Sequence, residues 1–353
     1  MKVYENPLYK EDVNYVASLD LSWEKLAGKS VMISGATGLI GSMLVDVLME
    51  KNRNGLGCEI YALGRSEGRM RERFEYCFEN SQFHFIEYDV NRRLILDSAK
   101  TVDYILHLAS NTHPMQYATD PIGTITTNII GVQNLLDFAV EHNATRVAFA
   151  SSNEIYGENR GDVDKFDEKY CGYIDCNTMR AGYPESKRCG EALCQAYIAQ
   201  KNLDVVIPRL TRSYGPTLLK TDTKALSQFL HKGVCGQDIV LKSAGTQFYS
   251  YLYAADSVSG LITVLLKGEC GEAYNIADDA SDIMLKDLAE IIADYAGRQV
   301  IYEIPDATEA AGYSKATKAR LESGKIKELG WNARYDIKSG VTRTLEILKS
   351  IED

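Results

Sequence analysis

Residues 30–41 read Ser30-Val-Met-Ile33-Ser-Gly35-Ala-Thr37-Gly38-Leu39-Ile40-Gly41, and an amphipathic stretch, Ser42 to Lys51, follows. The first four residues suit a buried strand and the last ten a helix. Between them three glycines recur at intervals of three. Glycine permits a tight turn and lets a ligand approach the backbone closely, while a helix N-terminus favours negative charge. A strand, this turn and a helix in that order form the setting for a pyrophosphate, so Gly35, Thr37, Gly38, Leu39, Ile40 and Gly41 are candidate dinucleotide-binding residues.

Outward from that turn, short β-branched runs alternate with helical patterns. Strands are expected at Glu59 to Leu63, Phe83 to Ile86, Tyr104 to His107, Arg146 to Ala150 and Asp204 to Pro208, and helices at Gly131 to Glu141 and Ser186 to Gln200. Such alternation predicts an α/β fold: a Rossmann-type doubly wound parallel sheet, with ligands beyond the carboxyl ends of its strands. After about residue 210 the alternation weakens. Asp238 to Leu241 and Ala273 to Ile276 mix with helices at Leu285 to Tyr295 and Lys325 to Leu329. The expected organisation is an N-terminal lead-in over 1–28, packed on the first domain, and a dinucleotide-binding domain over 29–210. A smaller discontinuous C-terminal α/β substrate lobe over 211–353 completes it, with later segments able to return to the sheet.

The 353-residue chain is 45% hydrophobic and 25% charged, the balance of a soluble globular protein, and its net charge of −10 argues against nucleic acid as partner. No apolar run approaches a membrane span, and the first thirty residues have no hydrophobic signal core. The eight cysteines form no C-x-x-C pair and the five histidines have no ligand spacing. These features predict free thiols, a cytoplasmic location and no metal.

Downstream lies Arg180-Ala-Gly-Tyr183-Pro-Glu-Ser-Lys187-Arg188. Tyr183 and Lys187 stand four residues apart on a predicted helix, hence on one face, and Pro184 suits its first turn. A nearby ammonium stabilises phenolate, so the spacing predicts a tyrosine pKa lowered toward working pH, with Lys187 also able to hold a nicotinamide ribose. Ser152 follows the strand ending at Ala150, and Glu154 lies two residues on, so both can reach one pocket. Tyr183, Lys187, Ser152 and Glu154 are the candidate catalytic residues. For the cofactor, Gly64 stands where a carboxylate would hold the ribose hydroxyls of NAD, and Arg65 beside it can meet the 2′-phosphate of NADP. Asp89-Val90 is placed to meet adenine.

These motifs together resemble the extended short-chain dehydrogenase/reductase family of nucleotide-sugar epimerases, dehydratases and decarboxylases. The resemblance runs from about residue 29 to the C-terminus. It also includes His107-Leu108-Ala109-Ser110, Asn128-x-x-Gly131-x-x-Asn134, Ser152-Asn-Glu-Ile-Tyr156-Gly157 and Arg209-x-x-x-x-Tyr214-Gly-Pro216. Gly271-Glu-Ala-Tyr-Asn275 and Leu329-Gly-Trp331 follow. Within the family, Arg180-Ala-x-Tyr183-x-Glu185-x-Lys187-Arg188-x-x-Glu191, with Pro114, Tyr117 and Pro121, looks most like UDP-glucuronate decarboxylases. Those enzymes oxidise the sugar at C4 with a recycled nicotinamide cofactor, and the resulting β-keto acid loses CO2. The resemblance implies Tyr183 as base, Lys187 as its partner, Ser152 as the hydroxyl-binding group and Glu154 as the acid/base residue near the sugar. It adds Leu108, Ala109 and Ser110 to the cofactor residues and Tyr117 to the substrate residues, and it implies a homodimer.

Three departures qualify the transfer. Tyr249 holds a position where the family usually carries an arginine, Arg212 replaces a usual asparagine, and Gly64 replaces the common acidic residue. Arg212 is therefore a candidate for the charge lost at Tyr249, and both are candidate substrate-binding residues. The cofactor stays open between NAD, which the family favours, and NADP, which Gly64 and Arg65 favour. Asn153 stands where the dTDP-glucose dehydratases carry aspartate, and an amide cannot donate that proton as an acid. The leading expectation is a nucleotide-sugar decarboxylase. A 4-epimerase or 4,6-dehydratase is the runner-up, and a catalytically silent NAD(P)-binding sensor is the reading from another class.

Overall fold

The glycine-rich turn lies where the chain reverses its course across a parallel sheet. The computed structural model describes residues 1–96, 102–112, 114–303 and 317–352. From β1 (Ser30–Ser34) the chain steps outward to β2 (Glu59–Gly64) and β3 (Phe83–Glu87). It then crosses to the opposite side of β1, adding β4 (Tyr104–His107), β5 (Arg146–Phe149) and β7 (Val205–Leu210), with the two-residue β6 (Ser151–Ser152) beside β7. Beyond β7 come β8 (Arg212–Tyr214), β9 (Ile239–Leu241) and β10 (Phe248–Tyr253), and then β11 (Ala273–Ile276) returns to pair with β7. The order is β11-β7-β5-β4-β1-β2-β3, every pairing parallel. The reversal between β1 and β4 opens a crevice at the carboxyl ends of both strands.

Side-chain alternation explains why this sheet is buried on both faces. Val31 and Ile33 point into one apolar cluster and Met32 into the other. The first cluster gathers α1 (Pro7–Ser18), α2 (Leu39–Arg53) and α3 (Glu67–Phe74), with part of the later chain. A short α4 (Pro114–Thr119) leads into α5 (Pro121–Glu141), which covers the second face with α6 (Gly182–Lys201) through Val132, Leu135, Leu136 and Cys194. After α7 (Ala225–Val234) comes α8 (Ala254–Lys267), buried from Ala254 to Leu266. A helix apolar all round must sit between layers, and α8 contacts β5 and β7 on one side and β10 on the other.

A four-stranded sheet forms from β8, β10, β12 (Asp282–Met284) and Lys318–Ala319, and a two-stranded one from β9 and Val300–Tyr302. β10 runs parallel to β8 and antiparallel to β12. The placement of the N-terminal segment follows from its polar residues. On α1, Asp12 is fully buried and accepts from the Tyr253 hydroxyl at 2.6 Å, the Tyr335 hydroxyl at 2.7 Å and Arg343 Nε at 2.7 Å. Asn6 Nδ2 donates to Ser350 Oγ at 2.6 Å. The segment therefore joins α2 to the end of β10 and to the C-terminal helix Ile337–Glu352.

Three helices begin earlier than their apolar periodicity indicates, α6 among them, at Gly182 rather than Ser186. α5 starts ten residues before Gly131, because the Asp120 carboxylate accepts from Gly123 N at 3.0 Å and Pro121 occupies the first turn. α2 starts at Leu39 directly on the glycine turn.

Candidate active site

Backbone crowding at the β1–α2 turn accounts for its glycines. Gly35 has φ +72°, and a Cβ there would lie 2.8 Å from Ala109 N. A Cβ on Gly41 would come within 2.2 Å of Gly35 O. Gly38 caps α2 with no side-chain hydrogen bond, so the helix N-terminus is left with its backbone donors. Leu108 N donates to Ser34 O at 3.2 Å and Ala109 N to Ser34 Oγ at 3.2 Å. The segment Leu108-Ala109-Ser110 thus runs along Gly35. Leu39 and Ile40 are half-buried, and Leu39 O accepts from Thr217 Oγ1 at 2.7 Å. The cradle a Cβ would fill, beside a helix start, fits a pyrophosphate.

Farther along the crevice, Val90 is buried against Gly131 and its carbonyl accepts from Asn134 Nδ2 at 2.8 Å. Asp89 accepts from Asn91 N at 3.0 Å. Arg65 is exposed, next to Ser66, the cap of α3. The space a side chain at Gly64 would take is filled by the Met70 methyl, 2.8 Å from such a Cβ.

The four candidate catalytic residues converge. Tyr183 and Lys187 lie on the buried face of α6, and Ser152 ends β6. Lys187 Nζ donates to the Ala150 carbonyl at 2.8 Å, and burial lowers its pKa to about 8, against the opposing charge of Glu191. His107, buried and hydrogen-bonded through Nδ1 to Ser34 Oγ at 2.7 Å, is pushed down to about 3 by burial and then by Lys187, so it stays neutral. The Tyr183 phenol departs from expectation: its pKa is raised, not lowered. Burial is the first cause and the Glu154 charge the second, and hydrogen bonds with Ser152 and Ser110 and the charge of Arg180 only partly offset them. The lysine that the spacing offers as the lowering charge has its ammonium turned to the Ala150 carbonyl.

A hydrogen-bonded chain fixes the tyrosine from behind. Ser110 Oγ donates to Asn128 Oδ1 at 2.7 Å, Asn128 Nδ2 to Ser186 Oγ at 2.9 Å, and Ser186 Oγ to the Tyr183 carbonyl at 2.8 Å. One turn beyond Lys187, Glu191 accepts from Arg209 Nη2 at 2.7 Å and from Ser151 Oγ at 2.5 Å. Asn128 and the Glu191–Arg209 pair were visible in the sequence as motif members, but nothing in their spacing reveals these partners.

On the other side, Tyr117 stacks on Tyr183 with ring centroids 5.1 Å apart. The Arg180 guanidinium lies 4.9 Å from the Tyr117 ring, and its Nη2 donates to both oxygens of Glu154, at 2.8 and 3.0 Å. Arg212 stacks on Tyr249 at 3.6 Å. Arg212, Glu154 and Arg180 all act on the Tyr249 phenol, which burial raises first. Tyr117 and Glu154 thus border Tyr183, and Glu154 and Arg180 connect it to Tyr249 and Arg212; the role of Arg180 depends on partners 26 and 63 residues earlier in the chain. Among the described residues no cluster of three or more His, Cys, Asp or Glu is placed to hold a metal, and no helix is long and apolar enough to cross a membrane.

Residues 31–277 match the model of the NAD dependent epimerase/dehydratase family. The chain is 30% identical over 312 residues to UDP-glucuronic acid decarboxylase 3 of Arabidopsis thaliana, covering 88% of this chain and 86% of the relative. A dTDP-glucose 4,6-dehydratase double mutant of Streptomyces venezuelae, with NAD and DAU bound, superposes with a TM-score of 0.76. It is 24% identical over 90% of this chain and 96% of that one. A UDP-glucuronic acid 4-epimerase of Bacillus cereus, in complex with UDP-glucuronic acid and NAD, also gives 0.76, at 20% identity over 91% and 99% of the two chains. At these identities the two structures speak to the fold alone.

Proposed function

Because the chain belongs to the NAD dependent epimerase/dehydratase family, we propose that it modifies a nucleotide-diphosphate sugar through a C4 ketone, as a decarboxylase of a nucleotide-linked hexuronate. The observation that carries this reading is the convergence of Tyr183, Ser152 and Lys187 beside the β1–α2 turn, with the Glu154–Arg180 pair alongside. Reversible hydride acceptance from the sugar C4 is the chemistry that bound NAD would supply. The turn from Gly35 to Gly41 would hold its pyrophosphate, Asp89 and Val90 its adenine end, and Lys187 its nicotinamide ribose. Leu108, Ala109 and Ser110 line the same crevice.

Tyr183 takes the proton from the sugar O4 as a phenolate, a form that burial and Glu154 disfavour in the protein alone and that the positive charge of a bound oxidised nicotinamide would favour, and Ser152 holds that oxygen by a hydrogen bond. As a ketone forms at C4, the same two hydroxyls face the oxygen on which charge develops when the C5–C6 bond breaks and CO2 leaves. The enolate left by CO2 takes a proton from solvent at C5, and when hydride returns to C4 Tyr183 restores the proton to O4. Glu154, paired with Arg180, is a carboxylate that can accept from a sugar hydroxyl. Asn153 is buried, and its amide cannot act as the acid a departing hydroxyl needs, which favours decarboxylation or epimerisation over dehydration.

The proposal extends to a homodimer formed through the outer side of α5, where Ile122, Ile125 and Ile130 are exposed, and to the cytoplasm, where the unpaired cysteines suit a reducing medium. Light scattering of the purified protein tests the dimer. Mass spectrometry after incubation with NAD and UDP-glucuronate tests the reaction. A UDP-pentose with released CO2 supports it, an epimeric hexuronate moves the protein to the runner-up, and no turnover on any nucleotide sugar returns it to the sensor class.

A further inference from the structure

Arg180 and Arg212 share an arrangement that a purely structural role does not need. Each guanidinium rests on a tyrosine ring, at 4.9 Å over Tyr117 and 3.6 Å over Tyr249. Each has a buried Nη1 that meets no hydrogen-bond partner within the protein. A buried cationic donor without a partner is costly, and two around one site are a mark of a site completed by an anion.

The local charge is informative. Arg180 and Arg212 contribute two positive charges and Glu154 one negative, while nearby Asp222 is paired with Lys224 at 3.1 Å. With the Lys187 ammonium turned away to the Ala150 carbonyl, the net of one positive charge left on this side matches a single carboxylate, and a diphosphate would overcompensate it. Position points the same way. Arg180 acts on both Tyr183, the phenol assigned to O4, and Tyr249, the ring that carries Arg212, so Tyr249 links the second cation to that side of the site. On a pyranose the substituent at C5 adjoins C4, whereas the phosphate on C1 leaves from the opposite edge of the ring.

We infer that Arg180 and Arg212 form a carboxylate seat beside Tyr183, with Tyr249 fixing the plane of Arg212, so that this chain selects a nucleotide-linked hexuronate over a neutral hexose. The seat combines residues of the α6 entry and of β8. Arginine suits it because a planar fork can meet both oxygens of a carboxylate while its face stays on an aromatic ring. The inference rests on the nucleotide-sugar reading above and names the group that sets its specificity.

Binding of UDP, UDP-glucose and UDP-glucuronate to the NAD-loaded protein, measured by calorimetry, tests it. Wild type should bind UDP-glucuronate at least about tenfold tighter than UDP-glucose. Arg212→Gln should bring the two within about twofold while UDP affinity stays unchanged, and Arg212→Lys, which keeps the charge but not the fork, should fall between. The inference is overturned by equal wild-type affinity for both sugars, or by a preference that survives in both variants. A parallel weakening of all three ligands overturns it too, by placing the guanidinium on the diphosphate. Should Arg212→Gln fail to fold, wild type and Arg212→Lys decide. If none of the three ligands binds wild type, the nucleotide-sugar reading itself falls and takes the seat with it, whereas UDP binding without discrimination rejects the seat alone.

Discussion

Behind the Tyr183 ring, Ser110, Asn128, Ser186 and the Tyr183 carbonyl form an unbroken run of hydrogen bonds, while in front of it Arg180 and Arg212 each keep a buried nitrogen with no partner. The rear region is completed by the fold, between helices α5 and α6. The front region draws on α4, the segment before α6 and the small sheet, and its polar groups are only half satisfied. The difference separates two tasks. Groups that must stay in place for proton transfer are fully bonded in the protein, and groups that choose the substrate keep bonding capacity in reserve.

The most severe way to break this comparison is to remove the phenol between the regions. Tyr183→Phe should lower turnover by about 10²–10⁴-fold while leaving bound cofactor unchanged, as read by product formation and by the cofactor released on denaturation. A loss below about tenfold would move proton transfer to another group.

The rear region has a pH signature. Lys187, lowered by burial from 10.5 to about 8, loses its proton as pH rises, so turnover should fall through about pH 8. Stability should respond with the opposite sign. Between about 8 and 10.5 the unfolded chain binds the lysine proton more than the folded one, so this residue's contribution to stability improves with pH over that window. A turnover that stays flat past pH 9 would contradict the assigned charge. Asn128→Ala, which leaves Ser110 and Ser186 without their shared partner, should cost about 1–3 kcal/mol in denaturant unfolding and reduce kcat more than it raises KM. An unchanged kcat would make the rear chain a matter of stability only.

The smallest expected effect lies in front. Tyr249→Phe keeps the ring under Arg212 and should alter substrate affinity by less than about threefold, whereas Tyr249→Ala removes a contact worth about 0.5–2 kcal/mol. Equal losses in both would assign a direct role to the hydroxyl rather than to the ring.

Much of the rear region was legible in the sequence, because its determinants are local. The Gly35–Gly41 turn, the strand ending before Ser151 and the Tyr183–Lys187 spacing each follow from a few consecutive residues. The start of α5 was not, since the exposed Ile122, Ile125 and Ile130 blur its amphipathic face and the capping of Gly123 by Asp120 outweighs periodicity. The phenol's charge state could not be read from helical spacing either. It depends on burial and on Glu154, which approaches from the segment after β6. Arg180 stood in plain sight beside Tyr183, but its meaning comes from Tyr117 and Glu154, which only the tertiary fold brings to it.

The contact between Asn6 and Ser350, reinforced by Asp12 on Tyr335 and Arg343, brings the beginning and end of the fold within reach of each other. A short peptide joining them would close the polypeptide into a ring, which could be reopened at the Asn54–Gly55 surface turn without crossing any site residue. Such a circular permutant would carry the same motifs in a new order, while a version cut back to the first strand would forfeit the clasp that holds the last helix.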